Sequence, residues 1–329
     1  QGLQFLAREQ QDDGSWIDKV GRKVYNSYDG RIAKHVGVTA LAGIAFLSSG
    51  ATPGGGPGVY KSRTGRDIHG HEIVEKALSY VISRTSPTGF ITDNGSRMYS
   101  HAFAALFLAE AYGMGYDQGG RLQDALRRSI RMIETSQNPD GGWRYRPQAI
   151  DADMSITVCQ VMALRAARNA GVGVSKEVID KAVQYVRRSF LPGVGAFMYQ
   201  IGSDFRSVPS RYSFALTAAG VTTLYGAGEY NAVRIINPAI RYLWVNRPHV
   251  SEARDHFDYY YGQYYAVQAL FQKGGEDWRR WYEDYIKPDL LKLQESDGSW
   301  NDLVGSRYAT AMATIILQFP NQYLPITEN

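Results

Sequence analysis

Two kinds of apolar pattern alternate along the chain. The first is amphipathic, with apolar residues on one side and charge on the other: Leu3, Phe5 and Leu6; Ile130 and Ile133 beside Arg127, Arg128 and Arg131; Leu290, Leu291 and Leu293. Such a stripe predicts a helix with one face in the core and one in water. The second is apolar nearly all round, as in Val38–Leu47, His101–Ala109, Ser155–Ala167, Phe214–Tyr225, Tyr259–Phe271 and Tyr308–Leu317. A helix of that kind has to be buried on every side. Small residues within these stretches let neighbouring helices approach closely.

The junctions repeat as well. Gln10-Gln11-Asp12-Asp13-Gly14-Ser15-Trp16, Gln137-Asn138-Pro139-Asp140-Gly141-Gly142-Trp143 and Gln294-Glu295-Ser296-Asp297-Gly298-Ser299-Trp300 each close an amphipathic helix. Gly supplies the positive φ that ends the helix, and Trp anchors the turn. Shorter forms occur at Pro87-Thr88-Gly89-Phe90 and at Gly193-Val194-Gly195-Ala196-Phe197, and a fifth helix stops at Asn246-Arg247-Pro248. Phe90, Trp143 and Phe197 are separated by 53 and 54 residues. A period of about 50 residues signals stacked supersecondary units. Six outer and six inner helices then predict an all-α chain of about 12 helices, an α/α toroid formed as a double ring of six hairpins and read as one domain over residues 1–329. The longer first step predicts a loop insertion over Gly50–His71, flexible and glycine-rich, with Lys61, Arg63, Arg66, His69 and His71 in its second half. It reads as a solvated crossover, with a lid or docking loop as the alternative.

Composition narrows the function classes. The charge is +4, from 36 basic and 32 acidic residues, too balanced for a nucleic-acid surface. There is no apolar run long enough for a membrane span. A single cysteine, Cys159, rules out an intramolecular disulfide and a cysteine-based zinc cluster. Tyrosine is abundant, at 23 residues, and buried phenols need partners, so a hydroxyl-lined cavity or groove is expected. The start at Gln1 reads as the mark of a removed upstream segment, compatible with export; the compartment stays open.

The Gln-x-x-Asp-Gly-Ser-Trp endings resemble the repeats of squalene–hopene cyclases, and the outer-helix, turn, inner-helix unit is similar to that of terpenoid cyclases and protein prenyltransferase β subunits. The resemblance covers Gly2 to about Pro325. It implies an isoprenoid-type ligand and two catalytic patterns. Type II cyclases use the middle Asp of an Asp-x-Asp-Asp motif as the acid; Asp151-Ala152-Asp153-Met154 keeps the first two acids and replaces the last. Such cyclases usually hold their site between two helical domains, and here there is one. The prenyltransferase zinc set needs an acid two residues before a cysteine; Thr157 stands there before Cys159, so no metal and no cofactor are expected. The Cys-Gly-Glu-Gln thioester of the complement-type toroids is also absent.

Asp153 has a second reading as the N-cap of the third inner helix, matched to Ser210 by counting back from Gly171 and Gly228. A carboxylate so placed would have its pKa lowered by the helix N-terminus. The starts of the inner helices are polar and are expected to gather at one end of the axis. The expected catalytic candidates are Asp153, Asp151 and His256, the last flanked by Asp255 and Asp258. The expected ligand-binding set is Arg97, Tyr99, His101, Arg211, Tyr212, Asp258, Tyr261, Arg307 and Tyr308. The same residues could instead be a hydrogen-bonded belt that satisfies helix ends. Three functions follow. The first is a binding or interaction module that uses the central cavity for an isoprenoid, glycan or protein partner. The second is a type II-like cyclase with Asp153 as acid. The third is a polysaccharide-processing enzyme using His256 and tyrosines.

Overall fold

The computed structural model describes residues 1–21, 28–201, 211–253 and 258–325. The outer helices are α1 (Gly2–Glu9), α3 (Gly70–Ser83), α5 (Arg121–Thr135), α7 (Lys176–Arg188) and α9 (Val233–Val245). The sixth outer helix is composite: α11 (Gly275–Arg279), a π-helical stretch (Arg280–Ile286) and α12 (Lys287–Leu293). The inner helices are α2 (Val36–Leu47), α4 (Met98–Gly113), α6 (Met154–Asn169), α8 (Phe214–Gly226), α10 (Tyr259–Lys273) and α13 (Ser306–Gln318). Each inner helix packs on the next, and α13 packs back on α2, so the inner ring closes. Every residue of α2 is buried, as its all-round apolar pattern requires. The chain is the expected α/α toroid.

The repeated turns work as joints. Trp16, Trp143 and Trp300 are buried, and each indole Nε1–H donates to the carbonyl of its own outer helix, at Leu6 (2.9 Å), Ile133 (2.8 Å) and Leu290 (2.7 Å). The glutamine clamps its own turn and reaches the next hairpin. Gln10 Nε2 donates to the Gly14 and Ile73 carbonyls, and Gln137 Nε2 to those of Gly141 and Val178. Gly141 has a φ of +92°, and a Cβ there would overlap the Lys181 carbonyl on α7. Glycine therefore serves both the turn and the close approach of two hairpins.

A further element of the joint was not apparent from the motif. The anchor's backbone N–H donates to a threonine hydroxyl in the first turns of the inner helix: Trp16 to Thr39, Trp143 to Thr157, Phe197 to Thr217 and Trp300 to Thr310. In the second hairpin Ile91 N–H donates to His101 Nδ1 at 3.1 Å.

Strands depart from the all-helical expectation in a small way. Among the described residues, three two-stranded antiparallel ribbons occur: β1 (Ile17–Val20) with β2 (Arg31–Lys34), β3 (Val59–Lys61) with β4 (Asp67–His69), and β5 (Phe190–Leu191) with β6 (Ala196–Phe197). The second ribbon lies inside the expected loop and gives its basic half a defined shape, with Val59 opposite His69 and Lys61 opposite Asp67. The end of that segment is helical: His69 caps α3, its N–H bonded to Glu72 at 2.8 Å, and Gly70 and His71 are already in the helix. His69 and His71 stack on each other, and among the described residues no group of three or more His, Cys, Asp or Glu side chains is placed to hold a metal. No helix among the described residues is long and apolar enough to cross a membrane.

Candidate functional site

Asp153 is the N-cap of α6 and has 0% exposure. One carboxylate oxygen, Oδ1, accepts from Ile156 N–H (2.9 Å) and from the Ser155 hydroxyl (2.6 Å). The other, Oδ2, accepts from Arg144 Nη1 (3.1 Å) and the Tyr199 hydroxyl (3.3 Å). Burial pushes the Asp153 pKa up, and these donors oppose it without prevailing. The helix terminus was expected to lower it; desolvation outweighs that contribution. The expected pairing with Ser210 shifts, since the cap of α8 is Ser213; α8 has 13 residues against 16 in α6, so the count from the closing glycine slips by three. Ser210 itself lies outside the described residues.

Arg144 binds both acids of the Asp151-Ala152-Asp153 stretch, reaching Asp151 through Nε at 3.3 Å. Its guanidinium lies 4.8 Å from the Tyr145 ring and 5.6 Å from the Tyr199 ring. The Tyr145 and Tyr199 hydroxyls are 2.6 Å apart. Arg97, exposed, sits 5.8 Å from the centre of the Tyr145 ring. Asp151 is largely exposed, so the two acids share a partner but not an environment.

Inside this shell lies a cluster of tyrosines. Tyr99 donates to Ser155 Oγ at 2.5 Å, and Tyr261 donates to the Ser155 carbonyl at 3.0 Å. The Tyr99 and Tyr261 rings meet edge to face, 6.4 Å apart. Tyr99, Tyr261 and Tyr308 are each half-buried. Burial raises all three phenol pKa values well above their ordinary range. Below them Phe103 packs edge to face on Tyr264. Cys159 lies among these phenols, 3.3 Å from the Tyr265 hydroxyl; burial pushes its thiol up to about 12, so it stays protonated and is a poor nucleophile.

The remaining expected residues are placed as follows. His101 is fully buried and holds the Ile91 turn in the slot that threonine fills elsewhere; burial lowers its pKa to about 4. Arg307 pairs with Glu9, on the side of α13 facing α1. Tyr212 is 46% exposed and meets Tyr242 edge to face, 6.2 Å away. Arg211 is exposed, and its carbonyl accepts from Tyr199 N–H. Asp258 lines a separate cleft with Ser213, Tyr242 and Arg247. His256 lies outside the described residues.

Sequence reasoning passed over Arg144, Tyr145, Tyr199 and His35. Tyr145 and Tyr199 each stand two residues after an anchor, a repeat position that could have been read. His35 caps α2, its Nδ1 accepting from Val38 N–H at 3.4 Å, and it stands where Asp153 stands before α6. Burial lowers its pKa against the pull of nearby Asp93.

No family model matches the chain, and no curated protein sequence matches it. Solved structures do share the fold. A GH76A alpha-1,6-mannanase from Salegentibacter sp., an inactive variant in complex with alpha-1,6-mannotriose, superposes with a TM-score of 0.68 at 7% identity, over 99% of this chain and 98% of that one. A glycoside hydrolase family 76 mannosidase from Bacteroides thetaiotaomicron gives 0.62 at 9% identity, over 96% of each chain. The type II terpene cyclase MstE from Scytonema, in complex with the product merosterolic acid A, gives 0.61 at 17% identity, over 96% of this chain and 94% of that one. That cyclase is matched along nearly its whole length. At these identities the likeness establishes the α/α toroid and nothing finer.

Proposed function

We propose that Tyr99, Tyr261 and Tyr308 wall a recess that serves as the active site of a proton-transfer enzyme acting on an isoprenoid-class substrate, with Asp153 as its acid. The observation that carries this reading is the hydroxyl chain from the sealed carboxyl to the recess wall: Asp153 Oδ1, Ser155 Oγ, Tyr99 hydroxyl. Asp153 has no exposed surface, so it cannot touch a substrate directly. Its proton would leave through Ser155 and emerge at the Tyr99 hydroxyl, with each hydroxyl reversing its bond as the proton passes. An alkene held against Tyr99 would take that proton into a new C–H bond. The faces of Tyr99, Tyr261 and Tyr308 suit the cation so formed, which would then lose a different C–H proton to the Tyr99 hydroxyl and back along the same chain to Asp153, leaving an isomer and the acid restored. Burial that raises the Asp153 pKa favours the protonated form such an acid needs.

A plain binding module needs a cavity but no sealed acid coupled to its wall. The mannanase reading has less support at this site. The mannanase variant is inactivated at two adjacent aspartates. The one adjacent pair here, Asp12-Asp13, sits in an outer turn where Asp13 pairs with Lys34.

The test incubates the protein with geranylgeraniol, a geranylgeranylated hydroxybenzoate and an alpha-1,6-mannooligosaccharide, with products read by liquid chromatography–mass spectrometry. Expected is an isomer of unchanged mass from an isoprenoid substrate, lost in Asp153→Asn, which keeps a capping oxygen. Cleaved mannooligosaccharide, or isomer formation unaffected by Asp153→Asn, would overturn the proposal.

A further inference from the structure

The inner ring runs α2, α4, α6, α8, α10, α13 and back to α2, so α4 and α10 stand opposite each other across the axis. Two pairs of aromatic rings bridge that diameter. Tyr99 of α4 meets Tyr261 of α10 edge to face, with 6.4 Å between ring centres. About one turn further along both helices, Phe103 meets Tyr264 in the same manner at 6.3 Å. Rings at that separation are in contact, so neither pair leaves a passage between its members.

The two layers are joined into one body. Tyr265 meets Tyr261 at 4.8 Å and Tyr264 at 5.0 Å, both edge to face, so the five rings form a continuous series of contacts. Cys159 closes on this body from α6, its sulfur 3.3 Å from the Tyr265 hydroxyl. The outer pair is also pinned at its hydroxyls, since Tyr99 and Tyr261 both donate to Ser155. Exposure gives the stack a direction. Tyr99 and Tyr261 are half-buried, whereas Phe103, Tyr264, Tyr265 and Cys159 are buried. The axis is therefore stoppered just inside the end where the inner helices begin.

A stopper at that depth limits what a flexible substrate can do. A polyene closes rings only when its alkenes are held folded over one another in an enclosed apolar space. On this axis that space is filled by side chains at contact distance. A chain brought to the Tyr99 hydroxyl can set one end against the first layer while the rest extends outward. We propose that the stopper confines the reaction to the alkene in the last isoprene unit of a linear isoprenoid, so that the product is a shifted double bond and not a ring. The inference rests on the reading of Asp153 as the acid. One C–H bond forms with the proton from Asp153, a neighbouring C–H bond breaks and returns a proton to it, and no C–C bond is made.

The test supplies geraniol, farnesol and geranylgeraniol to the whole chain in deuterium oxide, with products resolved by gas chromatography–mass spectrometry and NMR. Each alcohol should give an acyclic isomer with one new C–D bond in its last isoprene unit, and kcat should agree within fivefold across the three lengths. Phe103→Ala combined with Tyr261→Ala takes one ring from each layer. It should raise the cyclic share of the geranylgeraniol products at least tenfold, with a melting curve to confirm that the variant is folded. The wild-type products decide the proposal even where that variant does not fold. A cyclic main product from wild type, or kcat values more than fivefold apart, would overturn the stopper. If that product is still lost in Asp153→Asn, the acid reading stands without it. No isoprenoid product at all, or one unaffected by Asp153→Asn, would overturn both.

Discussion

Removing Arg144 should cost stability in proportion to pH. Arg144→Met keeps the aliphatic stem but strips Asp153 of its one charged donor among the described residues, leaving Ser155, Tyr199 and Ile156 N–H around a sealed carboxyl. Breaking a buried ion pair in this way costs about 3–5 kcal/mol when the remaining charge cannot escape. Asp153 has an escape, which is to stay protonated. In the unfolded chain an aspartate titrates near 3.9, and each pH unit above that adds about 1.4 kcal/mol to the cost of a neutral carboxyl. The ceiling is therefore about 4 kcal/mol at pH 7 and about 1.5 kcal/mol at pH 5. Loss of the guanidinium's contacts with Tyr145 and Tyr199 adds about 1 kcal/mol at either pH. The sign is consistent. The folded-state pKa of Asp153 is already raised by burial, so the native state holds its proton more tightly. Stability is then lost as pH climbs above the unfolded value, and the variant extends that loss upward. Urea unfolding of wild type and Arg144→Met at pH 5 and pH 7 measures the difference. Arg144→Met combined with Asp153→Asn should lose the pH dependence. A penalty that is equal at both pH values, or below about 0.5 kcal/mol at pH 7, would refute the reasoning.

Three further outcomes are expected. Gly141→Ala, where φ is +92° and the added carbon would overlap the Lys181 carbonyl, should destabilise by more than about 2 kcal/mol, against about 1 kcal/mol for Gly120→Ala, where φ is +79° and the space is open; thermal melts of the two variants compare them. Asp18, 3% exposed and bonded to Tyr308 N–H at the start of α13, has its pKa raised to about 7, chiefly by burial, so wild-type stability should fall as pH rises from about 4 to 7; Asp18→Asn should flatten that slope in urea unfolding curves by up to about 1.4 kcal/mol per pH unit. His101→Thr, which restores the hydroxyl used in the other hairpins, should be tolerated within about 1 kcal/mol, whereas His101→Leu should cost about 1–3 kcal/mol by leaving Ile91 N–H without an acceptor, as chemical denaturation would register.

The repeat made the ring legible because it is local. Each hairpin carries its own stop signal, and the period of the tryptophan turns tells where the next begins. The inner helices were legible for the same reason, since Val38–Leu47 has no polar face to offer water. The cap at Asp153 was also readable, from an acid directly before an apolar run. The site was legible only as a set of candidates. His101 and Tyr99 sit two residues apart in one helix, and nothing local says that one holds a turn while the other bonds Ser155. Arg307 and Tyr308 are neighbours, yet one pairs with Glu9 and the phenol of the other is shielded by burial.

What the sequence determined by itself was the unit: an amphipathic outer helix, a Gly-Trp joint, a buried inner helix, and enough copies to form a ring. Those features depend on contacts within one repeat or between neighbours, and local periodicity encodes both. Tertiary structure alone decided the chemistry around Asp153. Its partners come from three stretches far apart in the chain: Arg144 after the third anchor, Tyr199 after the fourth, and Tyr99, by way of Ser155, from the second hairpin. Its raised pKa follows from burial, which depends on how neighbouring hairpins cover the start of α6. Desolvation is a property of that enclosure, and no spacing along the chain records it.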